Sequence, residues 1–451
     1  MKYGVKNLLV VFLALILVVS SAGCSSTATQ ASETSAAGST QTSAVQSEST
    51  QPTQDVTLEF WMLPLIDEAK IKEMVQAFDG SKSGIKVNTT VLDWSTGREQ
   101  IKQAVAAGSG PDLFYIGAGL DQAYIDANLL LPLDQAGFTT EDLDRYSPLI
   151  AASMVDDKVL AAPISYETYI LYYRKDILAK YGYNNPPKTW DEMKAMAKSI
   201  TEKSGGEIMG YQAKGADDHL NAINYSWQTM LQQAGGNLFD VDAKKAAQDS
   251  PEARQALAYM KSFYDEKIST LGTSAANGFR EGKVAMFEFT QGPIYSEKYI
   301  SDETLKGKWG VATLPAGPST SAGHLGGHAI AINAASKNPQ QAGEFLKWFL
   351  SPQNAPVWMD AAFALPVFDL DKIDQDAKTA IDAVINKNPD IWKALLDQAV
   401  ASDPKFMIQS RFGYTARWDG QKRLIVAALN NQMSIDDVLS QLDAEVNQSV
   451  G

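Results

Sequence analysis

Three histidines and one cysteine are the side chains with the widest range of chemistry in this sequence. His219, His324 and His328 lack the HExxH spacing of a zinc enzyme, and Cys24 has no second cysteine with which to share a metal. The sequence also contains neither the GxSxG motif of serine hydrolases nor a GxxxxGK[ST] phosphate loop. We therefore expect no zinc site and no enzymatic activity, although spacing alone does not test for a carboxylate pair that hydrolyses glycosides.

An acidic cluster near residue 370 is the second group that could do chemistry. Asp369, Asp371, Asp374 and Asp376 have roughly the spacing of a calcium loop, but the turn glycine of an EF-hand is missing. We interpret the cluster as a solvated face, with a bound calcium ion as the alternative. No cofactor is expected.

The N-terminal residues predict export. An apolar run over residues 8–19 follows two lysines and precedes Ser21, Ala22, Gly23 and Cys24. The run is shorter than the ~20 residues of a membrane-spanning helix, so it is typical of a cleaved signal peptide over residues 1–23. The order resembles the bacterial lipoprotein signal, although Ser21 stands where that signal usually has an aliphatic residue. The resemblance implies lipidation of Cys24; an ordinary signal peptide is the alternative.

The remaining composition separates a tether from a folded body. Residues 24–54 are rich in Ser, Thr and Gln, without Lys, Arg or aromatic residues, so we expect a disordered tether with a reach on the order of 30 Å. About 400 residues follow, which favours two domains. The net charge of -14 argues against nucleic acid as a partner, and one cysteine cannot form an internal disulfide.

Hydrophobic periodicity predicts an α/β fold. Residues 57–61 alternate like a strand, and Ile71, Met74, Val75 and Phe78 form one face of a helix. Further alternation of strands and helices ends in a nearly continuous apolar strand over residues 111–117, as a buried parallel sheet requires. Downstream, we expect capped helices to begin at Thr189 and Ser250, which are followed by Glu192 and Pro251 respectively.

Seven phrases in order resemble the extracellular solute-binding proteins of ABC importers, carbohydrate-binding family 1, which includes maltose-binding protein. The phrases extend over nearly the whole body, and their order is far more specific than any one of them. They are Leu58-Glu59-Phe60-Trp61, Gly110-Pro111-Asp112-Leu113, Ala162-Pro163-Ile164 with Leu171-Tyr172-Tyr173-Arg174-Lys175-Asp176, Pro186-Pro187-Lys188-Thr189-Trp190-Asp191-Glu192, Phe279-Arg280-Glu281-Gly282-Lys283-Val284-Ala285-Met286, Leu314-Pro315-Ala316-Gly317, and Gly326-Gly327 with Ala335-Ser336-Lys337-Asn338-Pro339.

The resemblance implies a two-lobed periplasmic-binding-protein fold of type II with a ligand cleft between hinged lobes. Lobe 1 would comprise residues 55–165 and 320–362, and lobe 2 residues 168–315 and 365–451. It also implies a monomer on the extracellular face of the bacterial cytoplasmic membrane that passes a sugar, expected to be an oligosaccharide, to membrane permease subunits. The alternatives are a non-sugar solute, a surface glycan sensor and, least favoured, a secreted glycan-active enzyme.

Twelve residues are candidates for contacting ligand, since aromatic rings cover the C–H face of a sugar while polar groups bind its hydroxyls. The resemblance implies Trp418, Tyr225 and Glu167. Strand ends in a parallel sheet add others. The alternatives are packing between helices for Trp418, packing under a loop for Trp61, a structural salt bridge for Glu167, and a turn for Gly326 and Gly327. The complete set is Trp61, Asp93, Trp94, Asp121, Tyr166, Glu167, Tyr225, Trp227, Gly326, Gly327, Tyr414 and Trp418.

One departure from the family pattern bears on specificity. Many family members have a stacking tryptophan after a Gly-Pro pair, whereas this chain has Ile294 there. Stacking at that place is therefore absent or supplied by Phe289 or Tyr295, and we expect a preferred sugar other than maltose.

Overall fold

The computed structural model describes residues 55–78, 84–213, 222–295 and 298–450. The predicted signal peptide, Cys24, the tether and His219 lie outside the described residues, as does the side chain of Tyr295. In the described part of the chain, no helix combines the length and apolar character needed to cross a membrane.

A five-stranded sheet carries the first half of the fold. Its strand order is β2-β1-β3-β12-β6, with β1 parallel to β2 and β3, and β12 antiparallel to both β3 and β6. The predicted strand near residue 115 is confirmed as β3, and four of its five residues are buried. The strands of the fold are β1 (Val56–Met62), β2 (Ile85–Val91), β3 (Leu113–Gly117), β4 (Met154–Val155), β5 (Lys158–Val159), β6 (Ala162–Thr168), β7 (Ile170–Arg174), β8 (Phe239–Asp240), β9 (Lys245–Ala246), β10 (Met286–Phe289), β11 (Trp309–Ala312) and β12 (Leu325–Ile332).

A second sheet has the order β10-β7-β11 and is antiparallel throughout. Only Tyr169 separates β6 of the first sheet from β7 of the second, so the chain crosses between sheets there. It returns to the first sheet between Ala312 and Leu325. Strands β6 and β12 therefore connect the two halves of the fold side by side.

Helices surround both sheets, and the predicted helix starts are confirmed. Thr189 and Ser250 each accept a hydrogen bond from the backbone three residues on, and Pro251 occupies the first turn of its helix. The Glu192 carboxylate accepts from the amide of Lys188 rather than that of Thr189, so Thr189 and Glu192 do not form a complete capping box. The α-helices are α1 (Glu68–Ala77), α2 (Gly97–Ala106), α3 (Gln122–Asp126), α4 (Thr140–Asp144), α5 (Lys175–Lys180), α6 (Trp190–Lys203), α7 (Ala222–Ala234), α8 (Pro251–Asp265), α9 (Ala275–Arg280), α10 (Gly292–Tyr295), α11 (Pro339–Phe349), α12 (Ala355–Ala362), α13 (Gln375–Ile385), α14 (Pro389–Ala401), α15 (Lys405–Gln409), α16 (Tyr414–Leu429) and α17 (Ile435–Val450).

Two large apolar cores stabilise the folded body. One core is built around the five-stranded sheet, and the other is built around helices α6, α7, α8, α16 and α17. The first core also contains Phe279 and Phe287, which belong to the predicted second lobe. Core packing therefore does not mark the lobe limits, and the predicted limits stay a prediction.

Glu288 is a carboxyl group buried in the second half of the fold. It lies on β10 and is only 5% exposed, and Tyr211 and Ser226 lie beside it. Burial raises the pKa of Glu288 to about 7 although both hydroxyls lower it in part. Within the described residues, its Oε1 atom has no hydrogen-bond partner. The folded protein therefore retains this proton at a pH at which the unfolded chain has lost it.

We predict that Glu288→Gln reduces the loss of stability at high pH. The free energy of unfolding should fall as pH rises from the ordinary glutamate pKa of 4.5 to about 7, because only the unfolded chain ionises in that window. Between about pH 5 and about pH 9, ionisation of Glu288 should lower the free energy of unfolding of the original protein by about 3 kcal/mol. The Glu288→Gln variant should not show this part of the decrease. Denaturant unfolding at both pH values measures it. The exposed Glu344→Gln is the control; an unchanged pH dependence in Glu288→Gln contradicts the prediction.

Candidate ligand-binding site

Four polar side chains form a continuous chain of hydrogen bonds across the five-stranded sheet. Arg98 donates from Nη2 to the hydroxyl of Tyr115 over 3.1 Å. That hydroxyl lies 2.9 Å from Nδ1 of His328, whose Nε2 lies 3.1 Å from Oε1 of Glu167. We call this set the Arg98–Glu167 chain. It links a cation to a carboxylate through a phenol ring and an imidazole ring.

Neighbouring strands place these residues together. Tyr115 lies on β3, His328 on β12 and Glu167 on β6, and β12 runs between the other two strands. A register shift after His328 on β12 marks the point where this strand pairs irregularly with β6. Arg98 comes from the first turn of α2. Residues separated by more than 200 positions therefore meet because β12 is inserted between β3 and β6.

Electrostatics favours the ionised form of Glu167. Burial alone would raise its pKa, but the contact with His328 and the positive charge of Arg98 lower the pKa below its ordinary value. The Glu167 side chain remains 23% exposed. Its carboxylate is therefore an ionised acceptor with part of its surface open to a ligand.

Trp94 covers the Arg98–Glu167 chain. Its ring centre lies 5.9 Å from that of Tyr115 and 5.7 Å from that of His328. The guanidinium of Arg98 lies 5.4 Å from the Trp94 ring, within the range of a cation–π contact. Trp94 is nevertheless 44% exposed. A tryptophan fixed by ring contacts and still this exposed offers an apolar surface to a ligand.

A group of aromatic rings in mutual contact, most of them tilted or edge-to-face, forms the other side of the site. Tyr225 is at its centre, with ring-centre distances of 4.3 Å to His324, 4.9 Å to Trp418 and 5.9 Å to Tyr169. Tyr414 stacks on Trp418 at 5.7 Å with an interplanar angle of 12°. We call these five residues the ring stack. Helix α16 supplies Tyr414 and Trp418, one turn apart on one face, and α7 supplies Tyr225.

His324 is a neutral member of the ring stack. Burial lowers its pKa to about 3, and the nearby Arg417 acts in the same direction although Glu167 opposes it. The imidazole therefore carries no charge at neutral pH and contributes a ring with one donor and one acceptor.

The two groups are close enough to interact electrostatically: Arg98 is within range of Tyr225 and Tyr414, and Glu167 is within range of Tyr225. Rings and hydrogen-bonding groups thus lie near each other.

A cavity of about 410 Å³ adjoins the ring stack at Tyr414. This volume is within the range of small-molecule sites, ~300–1,000 Å³. Its wall mixes charged, aromatic and small side chains, among them Lys102, Asp121, Ala123, Lys244, Phe412 and Tyr414. Lys102 and Asp121 form an ion pair of 3.0 Å across one edge of the cavity.

Comparison with known proteins identifies the family. A family model described as bacterial extracellular solute-binding protein matches residues 64–356, which is well over half of the 451 residues. The chain belongs to this family. The family predicted from the sequence is confirmed, and its members are substrate-binding proteins rather than enzymes.

Individual relatives agree with this identification. The solute-binding protein is 28% identical over 284 residues to a Brucella abortus (strain 2308) protein described as a binding protein, a match that covers 61% of this chain and 67% of that one. It is 23% identical over 410 residues to the maltooligosaccharide ABC transporter solute-binding lipoprotein of Streptococcus pneumoniae, which covers 84% and 87% of the two chains.

Solved structures confirm the predicted two-lobed α/β fold. The cyclic alpha-maltosyl-1,6-maltose binding protein of Arthrobacter globiformis superposes with a TM-score of 0.74 at 22% identity, covering 88% of this chain and 99% of that one. MalE3 of T. maritima, solved with maltose bound, superposes with a TM-score of 0.68 at 26% identity, covering 87% and 99%.

Five of the twelve predicted ligand residues meet at the site of this solute-binding protein. They are Trp94 and Glu167 on one side, and Tyr225, Tyr414 and Trp418 on the other. Contact of each with a ligand stays a prediction, but the structure brings these side chains together as a cleft residue set requires.

Three predicted aromatic residues lie elsewhere. Trp227 and Tyr166 are fully buried in the two cores, and Trp227 donates to Oε1 of Gln248 over 3.3 Å. Trp61 is half-buried against the first core. These positions correspond to core packing.

The predicted glycines lie on β12. A Cβ atom at Gly327 would collide with the carbonyl oxygen of Ser165, so close approach of β12 to β6 accounts for that glycine. Gly326 is the next residue of the same strand, where a Cβ would lie 3.0 Å from Nε2 of His324.

The predicted aspartates organise loops beside the site. The Asp93 carboxylate accepts from the amides of Ser95 and Thr96, which shapes the loop that carries Trp94. The hydrogen bonds from Ser95 and Thr96 hold the pKa of Asp93 below its ordinary value. Asp121 caps α3 by accepting from the amide of Ala123, and it lines the cavity.

The acidic cluster of residues 369–376 is divided among different partners. Lys372 contacts Asp369, Lys378 contacts Asp371, and Asp374 caps α13. Among the residues that the structure describes, no group of three or more His, Cys, Asp or Glu side chains could hold a metal ion.

Sequence reasoning missed Arg98, Tyr115, Tyr169, His324 and His328. The histidines are considered there only as zinc ligands, and the strand over residues 111–117 is identified from its apolar run alone. Strand alternation could have indicated Tyr115, since adjacent residues of a strand point to opposite faces. The contact between Arg98 and β3 depends on the packing of α2 and has no signal in the sequence.

Proposed function

We propose that this solute-binding protein captures a neutral sugar, specifically an oligosaccharide, between the ring stack and the Arg98–Glu167 chain and delivers it intact to an ABC importer. The observation that carries the proposal is the convergence of Trp94, Tyr225 and Trp418 around an ionised carboxylate and a guanidinium. A pyranose has an apolar C–H face and an edge of hydroxyls, so it needs both kinds of surface in one cleft.

The charges of the site favour a neutral ligand. Arg98 and Glu167 end the same hydrogen-bonded chain, so their charges offset each other, and His324 is neutral. A ligand hydroxyl can donate to the carboxylate and accept from the guanidinium. Two relatives are named for maltooligosaccharide and for cyclic alpha-maltosyl-1,6-maltose, which supports a carbohydrate for this chain too.

The cavity beside Tyr414 supports a ligand of several sugar units. Tyr414 belongs to the ring stack and also lines the cavity. An oligosaccharide bound at Trp418 can therefore extend into the cavity. We further propose that the lobes are residues 55–165 with 320–362 and 168–315 with 365–451, and that they close on the sugar by a hinge movement.

We predict that Trp418→Ala weakens sugar binding by about 1–3 kcal/mol, or roughly 5- to 150-fold in Kd, through lost apolar contact. Calorimetric titration measures it, with the best ligand of a thermal-shift panel of α-1,4-glucans, β-1,4-glucans and β-1,4-xylans of one to six units. The control is Trp348→Ala, which removes a half-buried indole packed on Phe78, away from the ring stack. An unchanged Kd in a folded Trp418→Ala variant contradicts the assignment.

We predict that Ala123→Trp, which fills the cavity, reduces the affinity gained from additional sugar units. The ratio of the Kd for two units to the Kd for four units should fall about tenfold or more, because the longer ligand loses its room. Titrations with both lengths measure the ratio. Ala127→Trp adds the same ring to the exposed end of α3 and is the matched control. A ratio that stays at its original value argues against the cavity as part of the sugar site.

We also propose that Cys24 carries a lipid that anchors the protein on the extracellular face of the cytoplasmic membrane. Cys24→Ala should then release most of the protein into the medium, because no acyl chain remains to partition into the bilayer. Immunoblots of membrane and medium fractions measure the distribution, and metabolic labelling with palmitate tests the modification directly. Retention of Cys24→Ala in the membrane fraction to the original extent contradicts the anchor.

A further inference from the structure

The hydrogen-bonding direction of the Arg98–Glu167 chain follows from the chemistry of its two ends. An ionised carboxylate only accepts, so Nε2 of His328 must carry the proton that lies between it and Glu167. In the neutral imidazole Nδ1 then only accepts, and the Tyr115 hydroxyl must donate to it. A guanidinium only donates, so the Tyr115 oxygen accepts from Arg98. For a neutral imidazole, each group therefore has one role that is compatible with both of its neighbours.

We propose that His328, as the neutral Nε2–H tautomer, is a positioning residue for sugar binding: it aligns Glu167 as the acceptor and, through Tyr115, Arg98 as the donor for ligand hydroxyls. The inference rests on the proposed function for its ligand, but the tautomer itself does not depend on any ligand. His328 is only 11% exposed in its side chain, whereas Glu167 is 23% exposed and Arg98 more than a third exposed. The ends of the chain thus reach the cleft while its centre is covered.

Ring contacts restrict the imidazole to this orientation. Trp94 packs on His328 at 5.7 Å, and the Tyr115 ring lies at 5.6 Å with an interplanar angle of 41°. Both ring nitrogens of His328 are engaged along the line from Tyr115 to Glu167. A rotation of the ring would break both hydrogen bonds at once, so the two polar ends of the cleft are coupled through one side chain.

The first experiment reads the tautomer. Two-bond ¹⁵N–¹H correlation spectra of the whole chain with labelled histidine, in mildly alkaline solution without sugar, distinguish a proton on Nε2 from one on Nδ1. His328→Gln identifies the resonance by its disappearance. An Nε2–H tautomer supports the proposal, and an Nδ1–H tautomer or a mixture of both overturns it. This outcome is independent of whether any sugar binds.

The second experiment tests positioning with variants. His328→Gln retains an acceptor and a donor on one planar group, whereas His328→Leu retains bulk and loses both. With the sugar selected by the glucan and xylan panel, His328→Leu should raise Kd about five- to tenfold, and His328→Gln should stay within about threefold of the original. Tyr115→Phe should raise Kd in the original protein but add little in the His328→Leu background, because the coupling is already lost.

The controls separate positioning from folding and from the proposed function. Melting temperatures of all variants are recorded without sugar; equal losses of affinity in His328→Gln and His328→Leu, or additive losses in the double variant, overturn the positioning role. If the original protein binds no sugar in the panel, the proposed function fails. The tautomer spectrum still determines which groups donate and which accept in the Arg98–Glu167 chain.

Discussion

The insertion of β12 between β3 and β6 is the constraint on which the candidate site depends. This strand is antiparallel to both neighbours, and its register sets His328 opposite Gly117 on one side and Ser165 on the other. Gly327 permits the close approach of β6, since any side chain there would strike the carbonyl of Ser165. Without this pairing, His328 could not lie between Tyr115 and Glu167. The polar side of the cleft is therefore a consequence of sheet order.

The two sides of the cleft differ in how they are built. Strands hold the Arg98–Glu167 chain, in which every polar group depends on the next, and such networks are rigid when all members are satisfied. Helices α7 and α16 hold most of the ring stack, where contacts are less directional. A hydrogen-bonding surface that is positioned accurately thus faces an apolar surface that tolerates adjustment. This combination suits a ligand whose hydroxyl pattern defines its identity while its C–H faces supply most of the buried area.

Local signals predicted a large part of the fold. Helix starts at Thr189 and Ser250 follow from cap chemistry, which needs only neighbouring residues. The buried strand β3 follows from a continuous apolar run. The antiparallel second sheet was not predicted, because β7, β10 and β11 come from distant segments and their pairing has no local signature. The positions of Trp227 and Tyr166 were also not predictable from the sequence, because an aromatic side chain is equally compatible with a cleft and with a core.

The sequence by itself determined the family, the α/β class and the presence of Tyr225, Tyr414, Trp418 and Glu167 among the site candidates. Order along the chain carries those facts, in the form of phrases, periodicity and caps. Only the tertiary structure decided that Arg98, Tyr115 and His328 connect to Glu167 in one hydrogen-bonded chain. The physical reason is that a hydrogen bond requires donor and acceptor within about 3 Å, and strand order rather than sequence separation brings residues 115, 167 and 328 that close.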